Sequence, residues 1–359
     1  MAIDDKVKLI KEVGEETIAE TELRKLLESG EELIAYDGFE PSGKIHIAQG
    51  LLRAININKM IKAGLRFKML VADWHALANN KLGGDLTKIQ TTGKYFIEVW
   101  KACGLDTNKV EFCWASEMAK NSDYWKLVVQ VGKSNSLKRF VRTAEMMGRE
   151  ESLEKLTGAH IIYSCMQVAD IFSLNAKITQ LGMDQRKVNM LAREIGPQLG
   201  FWKPVVVSHH MLMGLNKPVS PSGDKTTRTI EIKMSKSKPD TSVFMTDSKE
   251  DLNRKIAKAY CPPQITEENP VLEYYRYIVF ERYAEVEIKR EEKHGGNVPY
   301  KSYPEFEKAY KEGKLHPQDV KNVLSFYLNE LLNPVREYFE NNQEAKRLKE
   351  EVESYTVTR

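Results

Sequence analysis

From residue 31 onward, short apolar runs alternate with stretches of helical periodicity. The runs with strand character lie at 32–36, 67–73, 110–115, 176–181 and 204–208. Strands separated by helix-length segments are typical of a parallel sheet with helices on both faces. The sequence therefore predicts a Rossmann-like, doubly wound α/β fold, a catalytic domain over residues 31–245.

Three segments lie outside this alternating pattern. Residues 1–30 carry apolar side chains at three- and four-residue spacing and are predicted to be N-terminal helices. Residues 121–160 look helical and irregular, as expected for an insertion between the two halves of the sheet and for a dimer contact. After Pro239 the pattern becomes mostly helical, so we expect a boundary near residue 245 and a C-terminal all-helical domain over 246–359.

Composition limits the class of protein without identifying a partner. The chain has 359 residues, of which 42% are hydrophobic, enough to bury a substantial core. Its 54 basic and 51 acidic residues give a net charge of +3, which neither requires nor excludes a nucleic acid. Four scattered cysteines and the absence of any run of about 18 apolar residues predict a cytoplasmic protein with free thiols and no membrane segment.

A turn rich in Gly, Pro and Ser joins the first predicted strand to a predicted helix. The segment reads YDGFEPSGKIHIAQG over 36–50, and the helix is expected to begin near His46. Such a crossover directs free backbone N–H groups and the positive end of the helix dipole toward phosphates. His46 and Gln49, one helical turn apart, can both donate hydrogen bonds to phosphate oxygens. Taken alone, however, a segment of this kind is more often an ordinary turn.

A second candidate for phosphate binding is the sequence KMSKS at 233–237, within a polar loop over 217–240. Lys233 and Lys236 lie three residues apart with serines between them. Two such ammonium groups form a cationic clamp suited to a pyrophosphate leaving group. A single K-x-x-K loop is usually a solvated surface loop, so the prediction depends on finding both segments in one chain.

Together, the two segments resemble the HIGH and KMSKS signatures of class I aminoacyl-tRNA synthetases. The HIGH position reads HIAQ, so Ala48 replaces Gly and Gln49 replaces the second His, whereas KMSKS matches at all five positions. Three further stretches narrow the resemblance to tyrosyl-tRNA synthetases of the archaeal and eukaryotic type. They are residues 36–46, YSCMQVAD at 163–170 and GMDQRK at 182–187.

The stretch at 163–170 is a mostly apolar predicted helix with one polar stripe. Tyr163, Gln167 and Asp170 are spaced i, i+4 and i+7, so they project from the same face. Buried polar groups need hydrogen-bond partners. From the residues alone, a structural network and a binding site both explain the stripe.

The resemblance assigns tyrosine-binding roles to this stripe and to residues around it. It implies that Tyr36 and Asp170 hold the phenolic hydroxyl of tyrosine, because a phenol can donate to a carboxylate and accept from a hydroxyl. The other implied tyrosine-binding residues are Tyr163, Gln167 and Gln185 around the amino group, and His75 and Glu117 along the pocket wall.

The resemblance also implies the reaction. Tyrosine reacts with ATP to give tyrosyl-adenylate and pyrophosphate, and the tyrosyl group then passes to the 3′ end of tRNA(Tyr). The implied catalytic residues are His46, Gln49, Lys233 and Lys236, and the implied ATP-binding residues are Gly38, Ser42, Gly43, His46, Gln49, Lys233, Ser235 and Lys236. Mg²⁺ is expected with ATP, without a tightly bound cofactor. No protein metal site is predicted, because the pair at 209–210 has no Cys or carboxylate at zinc-ligand spacing.

Two regions are implied to contact tRNA. Residues 133–149 hold five basic residues and one acidic residue, which by themselves usually mark a solvated helix face. The resemblance implies that Arg142 and Arg186 approach the acceptor stem of tRNA(Tyr). In the helical domain it implies tRNA-binding roles for His294, His316 and Asp319, with His294 standing where the family usually has Phe. It also implies a homodimer.

Two alternatives remain open at the level of sequence. Tryptophanyl-tRNA synthetases share the fold and both signatures, although Tyr36, Asp170 and the QRK triplet at 185–187 favour tyrosine. A catalytically silent RNA-binding or signalling paralogue is the other alternative. Such a protein is expected to lose pocket and clamp residues together, whereas only the HIGH segment departs here.

Overall fold

The computed structural model describes residues 1–144, 157–218, 228, 231–234, 239–292 and 295–356. Its main sheet has six strands: β1 (Gly14–Ile18), β2 (Ile34–Phe39), β3 (Arg66–Val71), β4 (Val110–Trp114), β5 (Ile178–Thr179) and β6 (Val205–His209). The spatial order is β1-β6-β5-β2-β3-β4. The five strands from β6 to β4 are parallel, and β1 joins the edge antiparallel to β6. The predicted parallel α/β sheet is thus confirmed.

The strand order places a topological switch point between β2 and β5. The chain proceeds from β2 outward to β3 and β4 on one side, and from β5 outward to β6 on the other. In register, Tyr36 of β2 pairs with Thr179 of β5 and with Lys68 of β3. Connections that diverge in this way leave a crevice at the carboxyl ends of the two central strands, which is where doubly wound sheets bind ligands.

Helices cover both faces of the sheet. They are α1 (Ile3–Val13), α2 (Glu20–Glu28), α3 (Leu51–Lys62), α4 (Asp73–Ala78), α5 (Leu86–Ala102), α6 (Ala115–Met118), α7 (Ser122–Ser134), α8 (Leu137–Ala144), α9 (Gly158–Ser173) and α10 (Arg186–Ile195). Because strand side chains alternate, Ala35 lies in the core with α3 and α5, and Tyr36 lies in the core with α7 and α9. The polar stripe of α9 therefore faces the same side of the sheet as Tyr36.

The N-terminal segment corrects one prediction. Helices over residues 1–30 are confirmed at α1 and α2, but residues 14–18 form strand β1 instead. A Cβ on Gly14 would lie 2.8 Å from the Val207 side chain, so glycine permits close pairing of β1 with β6. The five-residue strand depends on a partner almost 200 residues away, and local periodicity carries no sign of that partner.

Helices dominate the C-terminal region, as predicted. They are α11 (Lys249–Lys258), α12 (Pro270–Tyr274), a π-helical turn (Tyr275–Val279), α13 (Phe280–Arg282), α14 (Tyr303–Lys311), α15 (Pro317–Asn341) and α16 (Gln343–Glu353). A two-stranded antiparallel sheet of β7 (Val286–Ile288) and β8 (Val298–Tyr300) is added to them. The helical stretch from Pro317 to Glu353 is divided at Asn342, whose side chain caps α16 by accepting the Ala345 N–H at 3.0 Å.

The C-terminal helices pack directly against the catalytic region. The Tyr338 hydroxyl of α15 donates to Glu98 of α5 at 2.6 Å, and the rings of Phe339 and Tyr95 lie 5.7 Å apart. The boundary near residue 245 stays a prediction, because one apolar core continues across it. All four cysteines are free, as predicted. Within the described residues, none of the helices combines the length and the apolar character needed to span a bilayer.

Candidate active site

A buried carboxylate lies at the centre of the candidate pocket. Asp170, on the inner face of α9, is 1% exposed. One of its oxygens accepts a hydrogen bond from the Tyr124 hydroxyl at 2.8 Å, and the other lies 2.9 Å from His75 Nε2. Tyr36 is buried in the same core. Asp170, Tyr124 and His75 thus form a cluster of complementary hydrogen-bonding groups, and Tyr36 of the central strand β2 is close enough to feel the Asp170 charge.

Electrostatics hold the phenols of this cluster in the protonated form. Burial raises the pKa of Tyr36 well above its ordinary value, and the carboxylates of Asp170 and Asp37 raise it further. Burial lowers the pKa of His75, but the Asp170 carboxylate outweighs this effect, so the pKa of His75 is raised. The cluster therefore offers a carboxylate acceptor beside hydroxyl and imidazole donors.

Tyr163 and Glu40 form a second polar group beside the cluster. The Tyr163 ring meets His75 edge to face, with ring centroids 5.0 Å apart. Its pKa is raised well above the ordinary value by burial and by Glu40, which accepts a hydrogen bond from its hydroxyl. Glu40 also accepts from the Asn79 amide at 3.0 Å and lies 3.7 Å from the Lys81 ammonium. These contacts fix the Tyr163 ring at the wall of the pocket.

Two glutamines from different elements meet at the other side. The Gln167 amide nitrogen donates to the Gln185 carbonyl oxygen at 2.9 Å. The Gln167 carbonyl oxygen is buried, and the described residues give it no hydrogen-bond partner. A buried acceptor without a donor is costly unless a ligand supplies one. This oxygen is therefore suited to an ammonium group.

Glu117 does not join the pocket, contrary to the prediction. Its side chain is 64% exposed and pairs with Lys120 at 2.7 Å, one turn further along the chain. Strand β4 ends at Trp114, close to the predicted end of the run 110–115. Helix α6 follows directly, and on this helix Glu117 faces solvent. The structure therefore does not bring Glu117 to the Asp170 cluster.

Sequence reasoning missed Tyr124, which contacts Asp170 directly. Tyr124 lies on α7, in the segment interpreted as an insertion, and it occupies an apolar position of that helix. The signal that could have found it is its place among the apolar positions of α7, since a tyrosine buried there needs a hydrogen-bond partner for its hydroxyl.

The HIGH-like segment has a different local structure from the predicted one. Helix α3 begins at Leu51, not near His46. Residues 47–50 form a turn, in which the N–H groups of Gln49 and Gly50 both donate to the His46 carbonyl at 2.9 Å. His46 itself forms an antiparallel bridge with Phe244. The segment is therefore held against the chain that follows the KMSKS loop.

The turn before His46 contains a glycine in the left-handed region of backbone conformation. Gly43 has a φ of 100°, a conformation that favours glycine, and Ser42 precedes it.

At the end of β2, the Gly38 N–H donates to Asp37 at 2.7 Å. Burial raises the pKa of Asp37 to about 6, although its ion pair with Arg53 of α3 opposes the rise. The buried ion pair ties α3 to the central strand.

Lys233, the first residue of KMSKS, contacts a carboxylate of the GMDQRK stretch. Its ammonium lies 2.7 Å from Asp184. Burial raises the pKa of Asp184, but Lys233 outweighs this and holds the pKa below its ordinary value. Ser235 and Lys236 lie outside the described residues, so their predicted roles stay predictions.

The residues predicted to contact tRNA occupy several surfaces. Arg186 begins α10, directly after Gln185, and makes a bidentate pair with Glu16 of β1 at 2.7 and 3.0 Å. Arg142 is exposed on α8. His316 caps α15 through the Gln318 N–H, and Asp319 is partly exposed in the first turn of that helix. His294 lies outside the described residues.

Comparisons with known proteins identify the family. The family model described as tRNA synthetases class I (W and Y) matches residues 28–333. The chain belongs to the class I tRNA synthetases. It is 47% identical to tyrosine–tRNA ligase 1, cytoplasmic, from Arabidopsis thaliana, over 99% of this chain and 90% of that protein.

Among solved structures, this class I tRNA synthetase resembles the tyrosyl-tRNA synthetase of Pyrococcus horikoshii complexed with L-tyrosine. The TM-score is 0.91 and the identity 39%, over 98% of this chain and 100% of that one. The tryptophanyl-tRNA synthetase of Aeropyrum pernix gives a TM-score of 0.67 at 19% identity, over 94% and 86% of the two chains, which is a likeness of fold alone. ATP is a substrate throughout this family.

Proposed function

We propose that the chain is a tyrosine–tRNA ligase, which activates L-tyrosine with ATP and transfers it to tRNA(Tyr). The observation that carries the proposal is the buried cluster around Asp170. The relatives from Arabidopsis and Pyrococcus carry tyrosine in their names, and the latter was solved with L-tyrosine.

The Asp170 cluster suits a phenol better than other aromatic side chains. A phenolic hydroxyl can donate to the Asp170 carboxylate and accept from Tyr36. Phenylalanine in the same position would displace solvent from these groups without offering a hydroxyl to Tyr36 or to the remaining acceptor positions of Asp170, at a cost of about 1–3 kcal/mol for each lost hydrogen bond. The pocket thereby selects by hydrogen bonding as well as by shape.

The amino group of the substrate is assigned to the opposite side of the pocket. The orphaned carbonyl oxygen of Gln167 supports this assignment, since an ammonium supplies the missing donor. Gln185 lies on this side through its contact with Gln167, and we also assign the Tyr163 hydroxyl, at the pocket wall, to the amino group. With the phenol at Asp170, this arrangement directs the substrate carboxylate toward the β2 end of the crevice.

Activation needs no protein nucleophile. A carboxylate oxygen of tyrosine attacks the α-phosphorus of ATP, the bond to the bridging oxygen breaks, and pyrophosphate leaves with the electron pair. We assign His46, Gln49, Lys233 and Lys236 to stabilising charge on the phosphates, with Gly38, Ser42, Gly43 and Ser235 lining the ATP site. The ribose hydroxyl of the terminal adenosine of tRNA then attacks the tyrosyl carbonyl, and AMP leaves.

Mg²⁺ is assigned to the ATP phosphates and not to a protein cage. Among the described residues, no group of three or more His, Cys, Asp or Glu side chains is arranged to hold a metal ion. Mg²⁺ typically binds nucleotides through phosphate oxygens and water, with few protein ligands. No step of the mechanism is routed through a metal bound by this chain.

Arg142 and Arg186 are proposed to contact the acceptor stem of tRNA. Arg186 adjoins Gln185 of the tyrosine pocket, so an RNA end held there reaches the activated carboxyl group. His294, His316 and Asp319 are proposed to hold the anticodon; for the last two, exposure at the start of α15 supports access to a base.

We propose that the enzyme is a homodimer in the cytoplasm. Val129 of α7 and Leu137 of α8 are 62% and 66% exposed, more than any other large apolar side chain of the described residues. Exposed apolar side chains on neighbouring helices favour a protein interface. The word cytoplasmic in the name of the Arabidopsis relative supports the location.

Amino-acid-dependent exchange of pyrophosphate into ATP tests the proposed function. The protein should support exchange with tyrosine, and with neither tryptophan nor phenylalanine at equal concentration. Transfer of labelled tyrosine to tRNA should follow. Exchange with tryptophan alone would identify the tryptophan-specific branch, and binding of tRNA without any exchange would identify a silent paralogue.

A further inference from the structure

A histidine outside the tyrosine pocket links three separate segments of the chain. His210 follows β6 and is 13% exposed. Its Nδ1 contacts the Glu15 carboxylate from β1, and its Nε2 lies 3.1 Å from Glu273 of α12. Its ring stacks on Tyr277, with centroids 4.0 Å apart and the planes inclined by 12°. Since only imidazolium donates from both nitrogens, the two carboxylates select the charged form.

Glu273 connects this histidine to the KMSKS segment. The oxygen that faces His210 also accepts the Met213 N–H at 2.9 Å. Met213 forms an antiparallel bridge with Lys233. Backbone hydrogen bonds flank the bridge on both sides, from Gly214 N–H to the Ile232 carbonyl and from Met234 N–H to the Leu212 carbonyl. The path from the His210 ring to Lys233 thus consists of three consecutive contacts.

A second ion pair joins the same region to the KMSKS loop. Arg228 makes a bidentate pair with Glu268 at 2.6 and 2.5 Å. Glu268 lies five residues before Glu273. The short segment 268–273 therefore contacts the loop directly at Arg228, through Glu268, and contacts the strand that pairs with Lys233 at the Met213 N–H, through Glu273.

We propose that His210 is a positioning residue for ATP activation, which fixes Glu273 so that the Met213–Lys233 strand pair presents the Lys233 ammonium to the nucleotide. The proposal rests on the proposed function, because it requires Lys233 to act on ATP. His210 touches neither substrate in this assignment. Its effect is expected on ATP parameters and not on tyrosine binding.

Two substitutions at His210 separate positioning from packing. His210→Phe keeps a flat ring on Tyr277 but removes both N–H donors, whereas His210→Gln keeps one donor and loses the ring. In pyrophosphate exchange, kcat/KM for ATP should fall about tenfold for His210→Gln and further for His210→Phe, as expected for loss of charged hydrogen bonds. The Kd for tyrosine, measured by equilibrium dialysis without ATP, should stay native. A residue needed only for packing gives the reverse order, with His210→Phe harmless.

Tyr338→Phe is the matched control. It removes another hydrogen bond between the C-terminal helices and the catalytic region, from elements that do not contribute to the His210 cluster. Its ATP parameters should be native. Native kcat/KM for ATP in both His210 variants, or an equal loss in Tyr338→Phe, would overturn the inference. If His210→Phe does not fold, His210→Gln decides alone. A lower kcat/KM for ATP with a native Kd for tyrosine supports the inference, and equal losses in both overturn it. Absence of exchange in the native protein would instead refute the proposed function.

Discussion

In the proposed function, the selectivity of the pocket for tyrosine depends on a single carboxylate, that of Asp170. Two neighbours already occupy part of its hydrogen-bonding capacity, Tyr124 on one oxygen and His75 on the other. A carboxylate has about four lone-pair positions, so room for a substrate hydroxyl remains. Because the site is dry, each of these bonds has more electrostatic weight than it would have in water.

Asp170→Asn should weaken tyrosine binding about tenfold or more, since a charged acceptor is replaced by a neutral amide of the same size. Equilibrium dialysis with labelled tyrosine measures the change, and tRNA affinity should remain native. Glu117→Gln is the control, because the exposed pair with Lys120 predicts no effect. Weaker tyrosine binding in Glu117→Gln and native binding in Asp170→Asn would show that Glu117, and not Asp170, binds tyrosine.

The His210 cluster predicts a pH dependence of stability. Burial lowers the pKa of His210, but Glu273 and Glu15 outweigh it and raise the pKa to about 9. A base with a raised pKa stabilises the fold fully below its unfolded value of about 6.5, and that stability is lost as the pH rises through 9. The native protein should lose about 3 kcal/mol of unfolding free energy across this window relative to His210→Gln. Urea unfolding at pH 6 and pH 9.5 provides the comparison, and parallel pH profiles would contradict it.

At the level of single residues, the polar stripe of α9 could be predicted from the sequence, but the residues that contact it could not. Tyr163, Gln167 and Asp170 are recognisable because helical spacing is local. Tyr124 contacts Asp170 across 46 positions, and Glu117 turns away because of one short helix. Such contacts depend on how elements pack, which periodicity does not encode.

At the level of elements, the join between the HIGH-like turn and α3 is tightly packed. Gly50 precedes α3, and a Cβ there would lie 2.4 Å from Met245 Cγ. Met245 belongs to the segment that pairs with His46, through its N–H to the Ile45 carbonyl at 3.0 Å. The glycine thus permits the HIGH-like turn, which is assigned to ATP, to approach the chain that follows the KMSKS loop.

Gly50→Ala should therefore destabilise the protein by about 1–3 kcal/mol through overpacking. It should also lower kcat for pyrophosphate exchange, because His46 moves with the strained turn. Urea unfolding and exchange kinetics measure the two effects. Gly158→Ala at the first turn of α9 is the control, since a Cβ there meets nothing within 4 Å. Equal unfolding free energies of the two variants would contradict this prediction, because they would show that the Met245 side chain repacks without destabilising the fold.

Strand β5 has only two residues, Ile178–Thr179. The other four parallel strands and most helices follow from local pattern, because each has enough residues to show a period. Strand β1 and the break at Asn342 do not. The first is defined by its pairing with β6, and the second by one side-chain cap inside an otherwise helical stretch. The turn over residues 47–50 likewise depends on a distant partner, the chain at 243–245.

At the level of the whole molecule, the proposed homodimer is assigned to the exposed apolar side chains of α7 and α8. A double substitution, Val129→Glu with Leu137→Glu, should convert the dimer to a monomer, because two charges would have to be buried in the interface. Both side chains are exposed, so the fold should tolerate the change. Sedimentation velocity measures the mass. Ile265→Glu, at an exposed apolar position elsewhere, should leave the dimer intact; an unchanged mass in the double variant would exclude this surface.

Arg186 is already paired with the Glu16 carboxylate, so in the proposed contact with RNA a phosphate replaces that carboxylate as the partner of the guanidinium. When a phosphate pairs with the Arg186 guanidinium, the Glu16 carboxylate loses its partner and associates with a cation from solution. An unpaired surface arginine contributes a slope of about −0.9 to log K against log salt for each phosphate it neutralises. Arg186 should contribute almost none, since the cation released by RNA is recovered by Glu16. The acceptor end of tRNA should therefore stay engaged at ionic strengths that weaken its other contacts.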